Sequence, residues 1–316
     1  MPLPTTPITW TTGQVVTAAQ LNGNIRDDIN YLDAKSVNQL VNGGFEIWQR
    51  GTGAFAANAA YTADRWQIGI VGTDTLSVSK NTANVDTGSI ACAACTFTLG
   101  TGAGATYLGQ FCKTGDGHQV GGRTFSVSAR VSTATANAVR IAVTGDGTGA
   151  ATVYSAFHSG TGAYQTLTAT YTAPANATYV AVALYFAVSC TAYLDSVMLT
   201  LGGVAVDYVP LVPADDLARC LRYYEIIGQT AGSLIFSQNN NAAGGLIRFT
   251  IPYKVQKAVV PTVTKVGTWT VVNAGQPVLN TAGVDGCFGQ VTATAAGDAY
   301  AYANGAGQYI TVEANP

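Results

Sequence analysis

Residues 179–188 read YVAVALYFAV. Val180, Val182, Leu184, Phe186 and Val188 alternate with Ala181, Ala183, Tyr185 and Ala187, the period of two that sends successive side chains to opposite faces of a β-strand. The run is about half the ~20 residues needed to cross a bilayer as a helix, and its alternation argues against a membrane span. One face is large and suited to a core. The other is small and suited to a surface where something else packs closely. The segment therefore reads as a central strand of a β-sandwich, with no membrane insertion.

The same signal recurs on both sides of it. Strand patterns are expected at 67–70, 75–80, 89–98, 106–111, 123–131, 138–144, 151–158, 165–171 and 191–201, separated by turn chemistry such as Gly145-Asp146-Gly147 and Ala173-Pro174-Ala175-Asn176-Ala177. Many short strands at this spacing predict a two-sheet jelly roll. Its entry is residues 41–66, VNGGFEIWQRGTGAFAANAAYTADRW. There an Asn-Gly-Gly turn leads into Phe45, Ile47 and Gln49 on one side and Glu46, Trp48 and Arg50 on the other, an expected strand. Phe45, Trp48 and Trp66 are assigned to the jelly-roll core.

Three domains are expected: an N-terminal anchor over 1–36, the jelly roll over 37–210, and a linker helix with a smaller C-terminal β-sandwich over 211–316. In the first, Thr17-Ala18-Ala19-Gln20 has the form of a capping box. Leu21, Ile25, Ile29 and Leu32 then form one apolar stripe at helical spacing. A helix of about four turns is marginal alone, so this one docks on its own domain, bundles around a symmetry axis or plugs into a larger particle. Pro210 and Pro213 punctuate the chain, and Asp215 and Asp216 open a helix through Tyr224. Beyond it strands are expected at 233–238, 246–253, 262–266, 269–272, 289–294, 300–303 and 308–312.

Composition narrows the function. With 316 residues, 48% of them hydrophobic, the chain can bury sizeable cores. Only 10% are charged, against about 25% in ordinary proteins, and such a surface fits packing against copies of itself. The 15 basic and 17 acidic residues leave a net charge of -2, with no basic stripe to neutralise phosphates, so a nucleic-acid partner is not expected. The start, MPLPTTPITW, has no charged n-region or apolar h-region, and the expectation is synthesis in a cytoplasm without a secretory signal. Cys92 and Cys95 form the one CxxC, without a second pair, so the six cysteines read as buried structural thiols.

No catalytic chemistry is assigned. His118 and His158 each sit beside a turn without a partner motif. A sugar-cleaving pair would need two facing carboxylates. Glu46 and Asp64 are the candidates, yet Glu46 falls on the opening strand, and Asp64 beside Arg65 reads as a structural ion pair. Asp116 and Asp146 offer one carboxylate per loop, a poor calcium cage, so neither metal nor cofactor is expected. For binding, sugars are held by exposed aromatic rings, and the last domain supplies Trp269, Tyr300, Tyr302 and Tyr309. Tyr300 and Tyr302 share a strand face by their spacing of two. Half-buried aromatics at a subunit interface are the alternative reading of these four.

Three segments, in order, resemble tail-fibre and related virion proteins of tailed bacteriophages. TWTTGQVVTAAQLNGNIRDDINYL resembles the short segment that precedes their first domain. LVNGGFEIWQRG and YTADRW, with YQTLTATYTAPANATYVAVALYF and AYLDSVMLTLG far downstream, resemble the start and end of a carbohydrate-binding-module-like jelly roll. ADDLARCLRYYE followed by IRFTIPYKVQKAVVPTVT resembles the helix and first strands of a C-terminal fibre domain. The resemblance implies a homotrimeric virion protein that contacts other virion proteins through residues 1–36 and binds a bacterial surface glycan. Tail-fibre-type adhesion is the leading expectation. The alternative is a head-fibre or capsid-decorating protein that covers the shell, and a depolymerase is a third, enzymatic reading.

Overall fold

The computed structural model describes residues 11–22, 38–101, 106–229, 235–304 and 307–315. The protein is all-β with short helices, and it divides into two compact units. The first comprises residues 1–46, 52–114 and 118–210; the second comprises 47–51, 115–117 and 211–316.

The first unit is a sandwich of two five-stranded antiparallel sheets. One holds β1 (Gln67–Gly69), β4 (Tyr107–Lys113), β6 (Val139–Gly145), β7 (Val153–Tyr154) and β9 (Tyr179–Phe186), in the order β1-β4-β9-β6-β7. The other holds β2 (Thr75–Asn81), β3 (Cys92–Thr98), β5 (Thr124–Thr133), β8 (Gln165–Thr172) and β10 (Cys190–Leu201), in the order β2-β3-β10-β5-β8. Strands distant in sequence lie side by side, as a jelly roll requires. Each strand forms where its alternation was expected, within a few residues at the ends. Only the segment before β8 is much shorter than its pattern, shrinking from 151–158 to the two residues of β7.

β9 shows why the pattern works. Val180, Val182, Leu184 and Phe186 are buried in the core, each burial worth about 1.5–3 kcal/mol over exposure. Phe186 meets Phe97 of the opposite sheet at 5.1 Å between ring centroids. Val188 lies beyond the strand and is exposed. The small face of β9 lines a groove, described below.

The entry segment departs from expectation. Residues 42–50 form turns rather than a strand, because Asn42 and Phe45 adopt φ of 55° and 56°, which ends the period of two. The two glycines are required by close approach, not by a hairpin. A Cβ on Gly43 would stand 2.2 Å from the Val197 carbonyl oxygen, and one on Gly44 would stand 2.9 Å from the Tyr208 hydroxyl. Gly43 accepts a bond from the Val197 amide at 2.9 Å, at the bulge where β10 shifts register between Asp195 and Met198. Phe45 and Trp66 are fully buried with ring centroids 4.6 Å apart, and Trp66 Nε1 donates to the Asn42 carbonyl at 3.0 Å. Both are core, as expected. Trp48 is buried too, but residues 47–51 belong to the second unit, where Arg50 pairs with Glu313 at 2.6 Å and lies over the Tyr224 ring.

At the N-terminus Thr17 and Gln20 form the reciprocal capping box read from the sequence, heading α1 (Ala18–Leu21). Leu21 is 49% exposed, while Ile25, Ile29 and Leu32 lie outside the described residues.

The second unit opens with α2 (Pro213–Leu221), which carries Pro213, Asp215 and Asp216 in its first turn and Arg219 in its last, matching the helix dipole. The helix stops short of the expected Tyr224, because Tyr224 starts β11 (Tyr224–Ile227). Three three-stranded antiparallel sheets follow. The first is β11, β19 (Tyr309–Glu313) and β14 (Thr262–Val266); the second is β12 (Ile235–Asn241), β18 (Gly297–Tyr302) and β15 (Thr270–Val272); the third is β13 (Leu246–Pro252), β17 (Gly286–Thr292) and β16 (Val278–Ala282). All three contribute to one apolar core, through Ile310 and Val312, Phe236 and Ala301, and Ile247 and Val291. β11 and β16 were not expected from the sequence.

Candidate functional site: an aromatic groove on one sheet face

The outward face of the β1-β4-β9-β6-β7 sheet carries a groove of about 250 Å³. Its construction follows from register. In one cross-strand row Gly69, Tyr107, Tyr185 and Arg140 are neighbours; in the next, Gln67, Gly109, Ala183, Ala142 and Tyr154; then Phe111, Ala181 and Thr144; and last Lys113 with Tyr179. Small side chains in the middle rows make the floor. Tyr107 and Tyr185 wall one end, Phe111 and Tyr179 the other, and Tyr154 the edge. Tyr179 and Tyr185 are six residues apart on β9, so the walls are separated by about 20 Å.

The rings are held by one another. Phe111 and Tyr179 have centroids 5.6 Å apart, and Tyr154 meets Tyr185 edge-on at 5.5 Å and 76°, the geometries that aromatic quadrupoles favour. Tyr107 lies across β1, and only glycine at position 69 permits this, since a Cβ there would stand 2.3 Å from the ring. Partial burial pushes the Tyr107 and Tyr185 hydroxyls above the ordinary tyrosine value, so both remain neutral hydrogen-bonding groups. Tyr154, by contrast, is 38% exposed.

Polar anchors set the wall positions. The Asp146 carboxylate accepts from the backbone amides of Thr178 and Tyr179 at 2.6 and 3.1 Å and from the Thr178 hydroxyl. These bonds hold its carboxyl below the usual range and fix where Tyr179 begins β9. Asp146 thus ties a turn. His158 is also structural: its Nδ1 accepts from Gly160 N at 2.9 Å, which leaves Nε2–H to donate to the Ala163 carbonyl at 3.1 Å. It stiffens the loop that presents Phe157 beside Arg140.

A larger hollow of about 380 Å³ lies on the other sheet, lined by Asp86, Arg130, Thr166, Asp207 and Tyr208 among others. Size would favour it, but chemistry does not. Arg130 is bound to Asp86 through Nε and Nη2 at 2.5 and 3.1 Å and to the Thr166 hydroxyl at 2.9 Å, and that pairing holds the Asp86 carboxyl low. Arg130 and Asp86 thus satisfy one another, and Tyr208 is the one ring in the lining.

The aromatics expected to bind ligand are placed elsewhere. Trp269 is 2% exposed in the core of the second unit, its ring 5.7 Å from that of Phe236 and its Nε1 bonded to the Val266 carbonyl. It has no face to offer a ligand. Tyr300 and Tyr302 are half-buried on β18 with centroids 6.0 Å apart, sharing a face as their spacing requires. Tyr309 starts β19 in a different sheet. Asp64 and Arg65 are buried, and Arg65 Nη2 donates to the Phe111 carbonyl at 2.6 Å. All six cysteines are buried and none is in a disulfide, as expected of structural thiols. Burial pushes Cys92 and Cys190 up to about 11.

The groove residues carried a signal that sequence reading passed over. Tyr107-Leu108-Gly109-Gln110-Phe111 and Tyr179-Val180-Ala181-Val182-Ala183-Leu184-Tyr185 each place aromatics at the ends and small residues in the middle of one strand face.

No family model matches the chain, and no curated protein matches it. Among solved structures it is similar to the CBM22-1–GH10 modules of the Clostridium thermocellum endo-1,4-beta-D-xylanase 10B complexed with xylohexaose, at 15% identity and a TM-score of 0.37 over 53% of this chain and 29% of that one. It is similar also to the enzymatically active domain of tailspike protein 4 of bacteriophage CBA120, at 13% identity and a TM-score of 0.39 over 52% of this chain and 22% of that one. A third is a xylan-binding domain of family 22, at 15% identity and a TM-score of 0.35, with 50% of this chain and 99% of that one covered. The chain therefore spans less than a third of the first two, and its structural neighbours are carbohydrate-binding modules and a phage tailspike domain.

Proposed function

We propose that the first unit binds a glycan in the aromatic groove of the β1-β4-β9-β6-β7 sheet, and that the chain serves as a non-enzymatic adhesion protein of a phage particle. The observation that carries the binding reading is the groove itself. Its floor of Gly109, Ala142, Ala181 and Ala183 lets a flat ring approach the backbone, while Tyr107, Tyr179 and Tyr185 offer aromatic walls with hydroxyls for orientation. Sugars present apolar C–H faces edged by hydroxyls, and this is the complementary surface. Stacking and hydrogen bonding are the chemistry these side chains supply.

The particle, the trimer and the tail position rest on the resemblance of the N-terminal and C-terminal segments. In a trimer three modest sites would act together, so avidity would exceed single-site affinity. The test is retardation of the purified protein in native gels cast with lipopolysaccharide or capsular polysaccharide from a panel of bacteria. Retardation by at least one polymer is expected, abolished by Ala183→Leu, which fills the middle of the floor. Equal retardation of the Ala183→Leu protein would remove the groove from the reading, and release of reducing ends from the polymer would overturn the non-enzymatic part.

A further inference from the structure

Beside the Tyr154–Tyr185 end of the groove stands a cation that no carboxylate among the described residues pairs. The Arg140 guanidinium carbon lies 3.6 Å from the centroid of the Tyr154 ring, 4.5 Å from that of Phe157 and 5.5 Å from that of Tyr185. Its Nε is buried without a hydrogen-bond partner, and among the described residues Arg140 forms no ion pair. Arg130 and Arg50 differ from it in holding a carboxylate, Asp86 and Glu313 respectively. Rings hold the Arg140 guanidinium in place, and with Nε enclosed it is the terminal pair of Nη groups that a ligand would meet. That pair matches a carboxylate with two parallel bonds.

We propose that Arg140 is a carboxylate subsite at the Tyr154–Tyr185 end of the groove, so that the bound glycan carries a uronic acid there. The inference rests on the groove being a glycan site, and it adds the chemical class of the sugar. Rings position the cation before the ligand arrives, so little side-chain entropy remains to be lost on binding. Arg140 stands beside Tyr185 and two residues from the floor residue Ala142 on the same face of β6, within reach of a sugar seated against Tyr185.

The test uses the full chain and four polyuronates, namely alginate, hyaluronan, polygalacturonate and glucuronoxylan, each beside its carboxyl-reduced form. Reduction turns the uronate into the neutral hexose and leaves its ring stereochemistry intact. Affinity electrophoresis is run with the native protein, Arg140→Gln and Arg140→Lys, with thermal unfolding to show that each variant is folded. At least one acid polymer is expected to be held about ten-fold or more tightly than its reduced form, with the preference lost in both variants because lysine keeps the charge but not the fork. Dextran sulfate, a polyanion without carboxylates, should be held equally by native and Arg140→Gln proteins. Equal binding of acid and reduced polymers, or a preference that survives in Arg140→Gln, overturns the carboxylate subsite and leaves the groove reading standing. A preference retained in Arg140→Lys, or dextran sulfate binding that depends on Arg140, reduces the residue to a general cation and also overturns it. If no polymer in either form is retained, the subsite falls, and the groove reading is decided by the lipopolysaccharide and capsular panel above.

Discussion

Replacing Tyr185 with alanine removes one wall of the groove and separates its contribution to binding from its contribution to folding. Tyr185 is half-buried and meets Tyr154 edge-on at 5.5 Å, a pair worth about 0.5–1.5 kcal/mol beyond burial. The Arg140 contact at 5.5 Å is near the outer limit of a useful cation–π interaction and adds little. Together with the part of the ring that leaves water, the expected loss of stability is about 1–2 kcal/mol. That lowers the unfolding temperature of a unit this size by about 2–8 °C, so the variant remains folded at 25 °C. A tyrosine anchoring a ligand costs about 1–2 kcal/mol when truncated, or about 5–30-fold in Kd. Titration calorimetry with the polysaccharide that retards the native protein, run beside thermal unfolding, measures both losses. The control is Tyr300→Ala with Tyr302→Ala in the second unit, which should leave Kd unchanged. A folded Tyr185→Ala protein with native Kd, or a loss of the same size in the Tyr300 and Tyr302 variant, would refute the groove as the binding surface.

Three further outcomes follow from the same structure. The Asp146 carboxyl is held below its unfolded value of 3.8, so the turn it ties is fully supported above about pH 4 and is lost only as pH falls through the lower native value; polysaccharide affinity should hold from pH 7 to 4 and fall below, and Asp146→Ala should show the weaker binding at every pH. Trp66→Phe should destabilise the first unit by about 1–3 kcal/mol in chemical denaturation, because it leaves the Asn42 carbonyl without its indole donor, while Trp66→Ala should cost about 3–5 kcal/mol. In the second unit Lys257 and Glu225 are buried together at 2.6 Å, so Lys257→Met alone should cost about 3–5 kcal/mol by stranding the carboxylate, with much of it recovered when Glu225→Leu is added; a double variant no more stable than the single one would show that the pair itself stabilises the unit.

Local pattern was enough for most of the strands, though not for β11 and β16, and not for what joins them. The alternation of residues 179–186 forms β9 because the period of two is a property of consecutive residues, and likewise the capping box at Thr17 and the acidic first turn of α2 are contacts within one turn of chain. Residues 42–50 defeated the same rule. Phe45 and Trp48 are buried, but the path runs through positive φ at Asn42 and Phe45, a conformation selected by contacts with Val197 and Tyr208, more than 150 positions downstream.

Composition and periodicity by themselves determined that this chain is all-β, that its larger unit is a sandwich, and that Phe45 and Trp66 belong to the core. Tertiary structure alone decided where a ligand can sit. Tyr107 and Tyr185 are 78 positions apart in the chain and neighbours in the sheet, and Arg140 joins them only because β6 pairs with β9. Trp269, a conspicuous aromatic in the sequence, belongs to a core, while Ala181 and Ala183 make the floor of a groove. Periodicity tells which face of a strand a residue occupies. Strand order and register tell what stands beside it, and those are settled by burial and hydrogen bonding over the whole sheet.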